Sequence, residues 1–236
     1  MKLIIFDCDG TLVDSQHAIV GAMTGAFAAH GLTPPTREQV LSIVGLSLPQ
    51  AVARLVPAST SPKLILALTD SYKSSFTDIR QEEAHAEPLF PGTREAIAAL
   101  ASCEGVKLGI ATGKSRRGVT RLFDREGWHD HFATIQTADD APSKPHPAMV
   151  NQAMAEVGAT PAETVMIGDT SFDMEMARAA GVHALGVSWG YHPVTELYAG
   201  GAHSVVEDYV EALQVLVRLI GVPVMNGRLG TAKGAP

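Results

Sequence analysis

Asp7 and Asp9 stand two residues apart at the end of the apolar run Lys2-Leu3-Ile4-Ile5-Phe6, and Gly10 and Thr11 follow directly. On an extended strand, alternate residues share a face, so the two carboxylates point the same way. Like charges this close repel, and the pair is tolerated only if a cation neutralises it or one member keeps a proton. A metal-assisted nucleophile paired with an acid/base needs that arrangement. Gly10 lets the backbone leave the strand in a conformation other residues resist.

Three further segments place polar groups just past an apolar run. Lys107-Leu108-Gly109-Ile110-Ala111 ends on Thr112-Gly113-Lys114, and Ala133-Thr134-Ile135-Gln136 is followed by Ser143-Lys144-Pro145-His146-Pro147. Thr164-Val165-Met166-Ile167 ends on Gly168-Asp169-Thr170-Ser171-Phe172-Asp173. In an open parallel sheet the C-terminal strand ends share one edge, where ligands bind. A hydroxyl, an ammonium and two more carboxylates are therefore expected around Asp7 and Asp9. Asp169 has a second reading as the cap of the following helix, a role for which Thr170 competes.

Taken in order, Asp7-x-Asp9-Gly10-Thr11, Thr112, Lys144 and Gly168-Asp169-x-x-x-Asp173 resemble the four motifs of the haloacid dehalogenase superfamily, over Met1 to about Ile220. Within it the chain is similar to the phosphoglycolate phosphatase-like members, which carry segments like Gly45-Leu46-Ser47-Leu48, Trp189-Gly190-Tyr191 and Gly200-Gly201-Ala202. The resemblance implies a Mg²⁺-dependent phosphatase acting on a small phosphorylated metabolite. Asp7 would form an aspartyl-phosphate, with Asp9 as acid and then base. Asp7, Asp169 and the backbone carbonyl of Asp9 would bind the metal, with Asp173 holding a metal-bound water or ligating directly. Thr112, Gly113 and Lys144 would hold the transferring phosphoryl group, and Gly45 and Ser47 would reach the substrate from a cap. An acid at position 9 favours phosphoryl over haloacid substrates.

Departures from relatives narrow the choice. Phosphonoacetaldehyde hydrolases need a cap lysine, yet no Lys occurs between Thr11 and Pro62. Phosphosugar mutases, the near alternative, usually carry Arg where Leu48 stands here. A rival of another class is a phospho-accepting receiver-type signalling module; its acceptor lies on an internal strand and it has no helical insertion. Lys114, Arg116 and Arg117 are read either as partners for a distal substrate charge or as a solvated helix start, and His146 as the maker of a loop hydrogen bond.

Apolar spacing predicts how these residues are positioned. Helices are expected from Ser15, as cap, to Gly31, and over Thr36–Val44, Leu48–Val56 and Ser61 to about Arg80, with no strand among them. From Pro88 the chain alternates: helix Gly92–Ser102, strand Lys107–Ala111, helix Arg116–Glu126, strand Ala133–Gln136, helix Pro147–Val157 and strand Thr164–Ile167. Helix Phe172–Ala180, strands Val182–Val187 and Ser204–Val206, and helix Tyr209–Ile220 complete it. The expected fold is α/β, a Rossmann-like doubly wound parallel sheet with an inserted all-helical cap domain. Residues 1–14 and 87–222 form the core, 15–86 the cap, and 223–236 a loose tail. The crossings lie near Val13-Asp14-Ser15 and His85-Ala86-Glu87-Pro88.

The 236 residues are 46% hydrophobic, enough for a sizeable core. A net charge of −7 and 6% aromatic content argue against nucleic acid as a partner. Asp7 interrupts the first apolar run too soon for a secretory signal, and no apolar stretch is long enough to span a membrane. Cys8 and Cys103 make no disulfide framework, which fits the cytoplasm. Cys8 is read as packing filler rather than nucleophile.

Overall fold

The computed structural model describes residues 1–81 and 87–223. Strand β1 (Lys2–Phe6) is followed by helices α1 (Gln16–Ala29), α2 (Arg37–Leu41), α3 (Leu48–Leu55) and α4 (Pro62–Gln81). Then come α5 (Thr93–Ala101), β2 (Val106–Thr112), α6 (Arg116–Glu126), β3 (Phe132–Thr137), α7 (Ala148–Val157) and β4 (Thr164–Gly168). The chain continues through α8 (Ser171–Ala179), β5 (His183–Val187), α9 (Val194–Ala199), β6 (Ser204–Val206) and α10 (Tyr209–Ile220).

All six strands run parallel in the order β3-β2-β1-β4-β5-β6. β1 is central: Ile4 sits opposite Leu108 on one side and Val165 on the other. Leu3 to Phe6 are buried without alternation because helices cover both faces of the sheet. Ile4, Phe6, Leu108 and Ile110 pack with α5, α6 and α10, while Leu3 and Ile5 pack with Met149, Val150 and Met174. Each such side chain contributes about 1.5–3 kcal/mol on burial. The order in which successive strands are added reverses beside β1, so the crevice at its C-terminal end is the topological switch point of the sheet.

Helices α1–α4 build a separate apolar cluster, with Ile19, Met23 and Phe27 of α1 against Val40, Leu41, Val52 and Leu68. This is the helical insertion expected between the first strand and the rest of the sheet. Part of the expected second crossing, His85-Ala86, and all of the tail beyond Pro223 lie outside the described residues.

The differences from expectation have local causes. The helix expected over Thr36–Val44 stops at Leu41, because the chain turns there toward Gly45, whose φ is +98°. Val182 is not part of β5: its N–H donates to Ala177 O at 3.0 Å and closes the end of α8. Helix α9 was not expected; it is six residues long with Leu197 its one buried side chain, too short for a periodic pattern. Ser15 precedes α1 as expected, but its side chain makes no capping bond. Its hydroxyl donates instead to Asp9 Oδ1, 2.6 Å away.

Candidate active site

Asp7 is the first residue past β1, and its N–H still donates to Ile167 O of β4 at 3.0 Å. That ladder bond fixes the carboxylate at the switch point. Oδ1 accepts from Cys8 N at 2.7 Å and lies 3.0 Å from Lys144 Nζ. Oδ2 is buried and has no hydrogen-bond partner. Burial pushes the Asp7 carboxyl up to about 6, against the pull of Lys144, and Asp173 adds to the rise.

Asp169 follows β4 and is fully buried. Thr11 Oγ1 donates to its Oδ1 at 2.9 Å, and Tyr191 N to its Oδ2 at 2.9 Å. Burial, then Asp173 and Asp7, hold its carboxyl well above the usual carboxylate range. The helix cap is Thr170, which forms a capping box with Asp173, so Asp169 is not the cap. Asp173 Oδ2 accepts from Thr170 N and Oγ1, at 3.1 and 2.7 Å. Its Oδ1 accepts from Lys144 Nζ at 2.6 Å.

Oxygens of Asp7, Asp169 and Asp173 lie within 4.8 Å of one another. Three buried carboxylates facing one ammonium leave negative charge in excess, and Asp7 Oδ2 lacks a donor. A hard divalent cation with oxygen ligands fits that deficit. Lys144 is itself buried; burial opposes its charge, but Asp173 and Asp7 outweigh that and push its ammonium up, so it stays protonated.

Gly10 and Gly190 make the packing possible. A Cβ at Gly10, where φ is +89°, would lie 2.1 Å from Asp169 Oδ2, and one at Gly190 would lie 2.1 Å from Asp169 Cβ. Trp189 Nε1 donates to Thr11 O at 3.1 Å, so the Trp189-Gly190-Tyr191 segment clamps the first motif to the fourth.

Thr112 ends β2, buried, and its hydroxyl oxygen accepts from Lys114 N at 3.2 Å. At Gly113 a Cβ would meet Gly45 O and Leu46 O at 2.7 Å. Ser47 N donates to Ser143 Oγ at 2.7 Å. The Gly45–Leu48 loop therefore rests on the core beside the phosphoryl-binding candidates, as its glycine suggested. Asp7, Asp9, Thr112, Gly113, Gly45 and Ser47 all line one cavity of about 510 Å³. Lys144, Asp169 and Asp173 adjoin that lining through Asp7.

Lys114 is not a solvated helix start, and it lines the same cavity. Its ammonium is 2.7 Å from Asp9 Oδ1 and 3.0 Å from Glu87 Oε1, with its side chain only 7% exposed. Glu87, at the second crossing, was not singled out; Glu before Pro has no signature apart from that position. Arg116 is tied to Ile135 O and Asp140 near the end of β3, while Arg117 is exposed on the cavity rim. His146 Nδ1 accepts from Ala148 N at 3.2 Å, the expected loop bond. Cys8 is buried in the sheet core, and burial with Asp7 and Asp9 nearby pushes its thiol up, away from reactivity.

A doubly wound sheet with an acidic triad, a buried lysine and a helical insertion over the switch point defines a class of hydrolase. Residues 4–187 match the family model described as haloacid dehalogenase-like hydrolase, and the chain belongs to that family. It is 33% identical over 228 residues to a Dickeya dadantii protein named "Probable phosphatase IndB", covering 94% of this chain and 97% of that one. It is 29% identical over 221 residues to a phosphoglycolate phosphatase of Vibrio vulnificus, covering 92% and 96%. Among solved structures, a hydrolase from Pseudomonas syringae superposes with a TM-score of 0.81 at 26% identity, over 93% of this chain and 99% of that one.

Proposed function

We propose that this chain is a Mg²⁺-dependent phosphatase that hydrolyses a small phosphomonoester through an aspartyl-phosphate on Asp7. The observation that carries the reading is the unpartnered, buried Oδ2 of Asp7 beside a cavity that Asp9 also lines. Asp7, Asp169 and the backbone carbonyl of Asp9 would hold the metal, with Asp173, whose two oxygens already accept from Lys144 and Thr170, acting through a bound water or directly. When bound, the cation neutralises charge that otherwise keeps a carboxylate from a phosphate.

Asp7 attacks phosphorus, and the bond from phosphorus to the ester oxygen breaks. Asp9 gives its proton to that oxygen, releasing the alcohol. Asp9 then takes a proton from water, whose oxygen attacks the same phosphorus and frees Asp7 and inorganic phosphate. Lys144, Thr112 and the Gly113 N–H meet the phosphoryl oxygens, where negative charge concentrates. The cap, residues 15–86, selects the substrate and excludes water over a core made of residues 1–14 and 87–222.

Phosphoglycolate, the substrate named for the Vibrio relative, is the first compound to test. Free Cys8 and Cys103 support a cytoplasmic setting, and no described helix is long and apolar enough to cross a membrane. The test is phosphate release from a phosphoester panel by wild type and Asp7→Asn. Asn is nearly isosteric but cannot take up the phosphoryl group. Turnover of the variant within about tenfold of wild type, a loss of only ~1.4 kcal/mol in barrier, would overturn the assignment. Release that depends on an added sugar bisphosphate would point to a mutase instead.

A further inference from the structure

The cavity is larger and more apolar than glycolate requires. Its volume of about 510 Å³ falls in the roughly 300–1,000 Å³ range that holds drug-sized ligands. A glycolyl group is little bigger than a few waters. Opposite Asp7 and Asp9 the cap supplies Ile19, Met23, Val44, Leu48, Tyr72 and Phe76. The Tyr72 and Phe76 rings are stacked, with centroids 5.6 Å apart and planes at 24°. A charged or very small leaving group leaves this surface uncovered.

The charge distribution points the same way. In the proposed reaction the ester oxygen sits at Asp9, so a glycolate carboxylate one carbon away falls beside Lys114, the cation nearest Asp9. That ammonium is already shared between Asp9 and Glu87, whose side chains are 13% and 5% exposed. When Asp9 carries the proton it gives to the ester oxygen, Lys114 is still paired with Glu87 at 3.0 Å. A substrate carboxylate would have to compete with Glu87 for that ammonium where little water screens the charges. The remaining cations on the wall, Lys73, Arg117 and Arg121, are on α4 and α6; Lys73 and Arg117 are exposed.

We propose that the site is built for a phosphomonoester whose alcohol is uncharged and presents apolar or aromatic surface to Tyr72 and Phe76, in preference to phosphoglycolate. The inference rests on the phosphatase reading and narrows its substrate class. The stacked rings are the platform, and the Asp9–Lys114–Glu87 cluster is the filter against acidic leaving groups.

The experiment measures kcat/KM for ethyl, butyl, phenyl and naphthyl phosphate against 2-phosphoglycolate, with Asp7→Asn as the control for contaminating activity. Expected is a rise of roughly threefold per added methylene from ethyl to butyl, the order set by methylene burial. Phenyl and naphthyl phosphate should exceed phosphoglycolate by at least about tenfold. Phe76→Ala should flatten the series, and Glu87→Gln should improve phosphoglycolate relative to butyl phosphate by several-fold. Phosphate release with a flat series, or with phosphoglycolate preferred, overturns this inference and leaves the phosphatase reading standing. No Asp7-dependent release from any ester overturns both.

Discussion

The hydroxyl of Ser15 donates to Asp9 Oδ1 at 2.6 Å, so the residue that opens the first cap helix also holds the carboxylate proposed as acid and base. Tyr191, whose hydroxyl accepts from Ser15 N at 3.0 Å and whose N–H donates to Asp169, ties the same point to the acidic triad. Crossing point and chemistry thus share one hydrogen-bond network. Ser15→Ala should lower kcat about tenfold, the order of one hydrogen bond to a charged group, ~1.5 kcal/mol. Because no capping bond is lost, Tm should fall by less than about 3 °C. An unchanged kcat with a larger fall in Tm would show that Ser15 serves the helix and not Asp9.

Proton and cation should compete for the acidic triad. The Asp7 carboxyl is raised from 3.8 to about 6, so the folded state holds this proton more tightly than the unfolded chain does. Its contribution to stability is full below pH 3.8 and is lost as pH rises to about 6. Asp169 shifts in the same direction. Above that window a divalent cation held by the proposed ligands would supply the neutralisation. Thermal unfolding in EDTA and in saturating Mg²⁺ should therefore show a larger Mg²⁺ gain at pH 7.5 than at pH 5. At 100-fold over Kd the gain is about 2.7 kcal/mol. A gain that is equal or greater at pH 5 would contradict the assignment.

Lys114→Met removes the cation between the half-buried Asp9 and the buried Glu87. The expected loss is ~3–5 kcal/mol, typical of breaking a buried ion pair from one side. Glu87→Gln in the same chain should recover part of it, since one of the two charges is then gone. Chemical denaturation of the two single variants and the double variant gives the coupling. Additive effects would mean that the short Lys114–Glu87 distance carries no net interaction.

Gly113→Ala should act on the cap. The new methyl would meet the Gly45 and Leu46 carbonyl oxygens at 2.7 Å, so the loop must lift. For substrates that fill the cavity, kcat/KM should fall at least about tenfold, while acetyl phosphate, which needs no cap contact, changes less than about threefold. Equal losses on both would mean that the loop supports the reacting centre itself.

The core of the site was legible because its signals are local. Asp7, Thr112 and Asp169 each end an apolar run, and strand ends in a parallel sheet converge whatever lies between them. Helices α6 and α10 fall on the residues that periodicity predicts, each bounded by a side-chain cap and a left-handed glycine. The partners of Asp9 were not legible. Lys114 is separated from it by 105 residues and Ser15 by six, and each has a plausible local role, as surface lysine or helix cap, that it does not play. A pairing across that separation leaves no periodic trace. The clamp on Asp169 was half visible: Trp189-Gly190-Tyr191 stood out as a segment, but its backbone donor to Asp169 has no side-chain signature.

The position of β1 has a consequence for synthesis. This strand is translated before the other described elements, yet both its neighbours, β2 and β4, lie beyond residue 105. Leu3, Ile4, Ile5 and Phe6 must therefore wait, unpaired, while the whole helical insertion is translated. Helices α1 to α4 make short-range contacts with one another and can close early, whereas the sheet needs distant segments and closes late. The nascent chain carries an unpaired apolar strand through that interval. Asp7 and Asp9 are then made well before Thr112, Lys144 and Asp169, and they meet those residues only when the sheet closes.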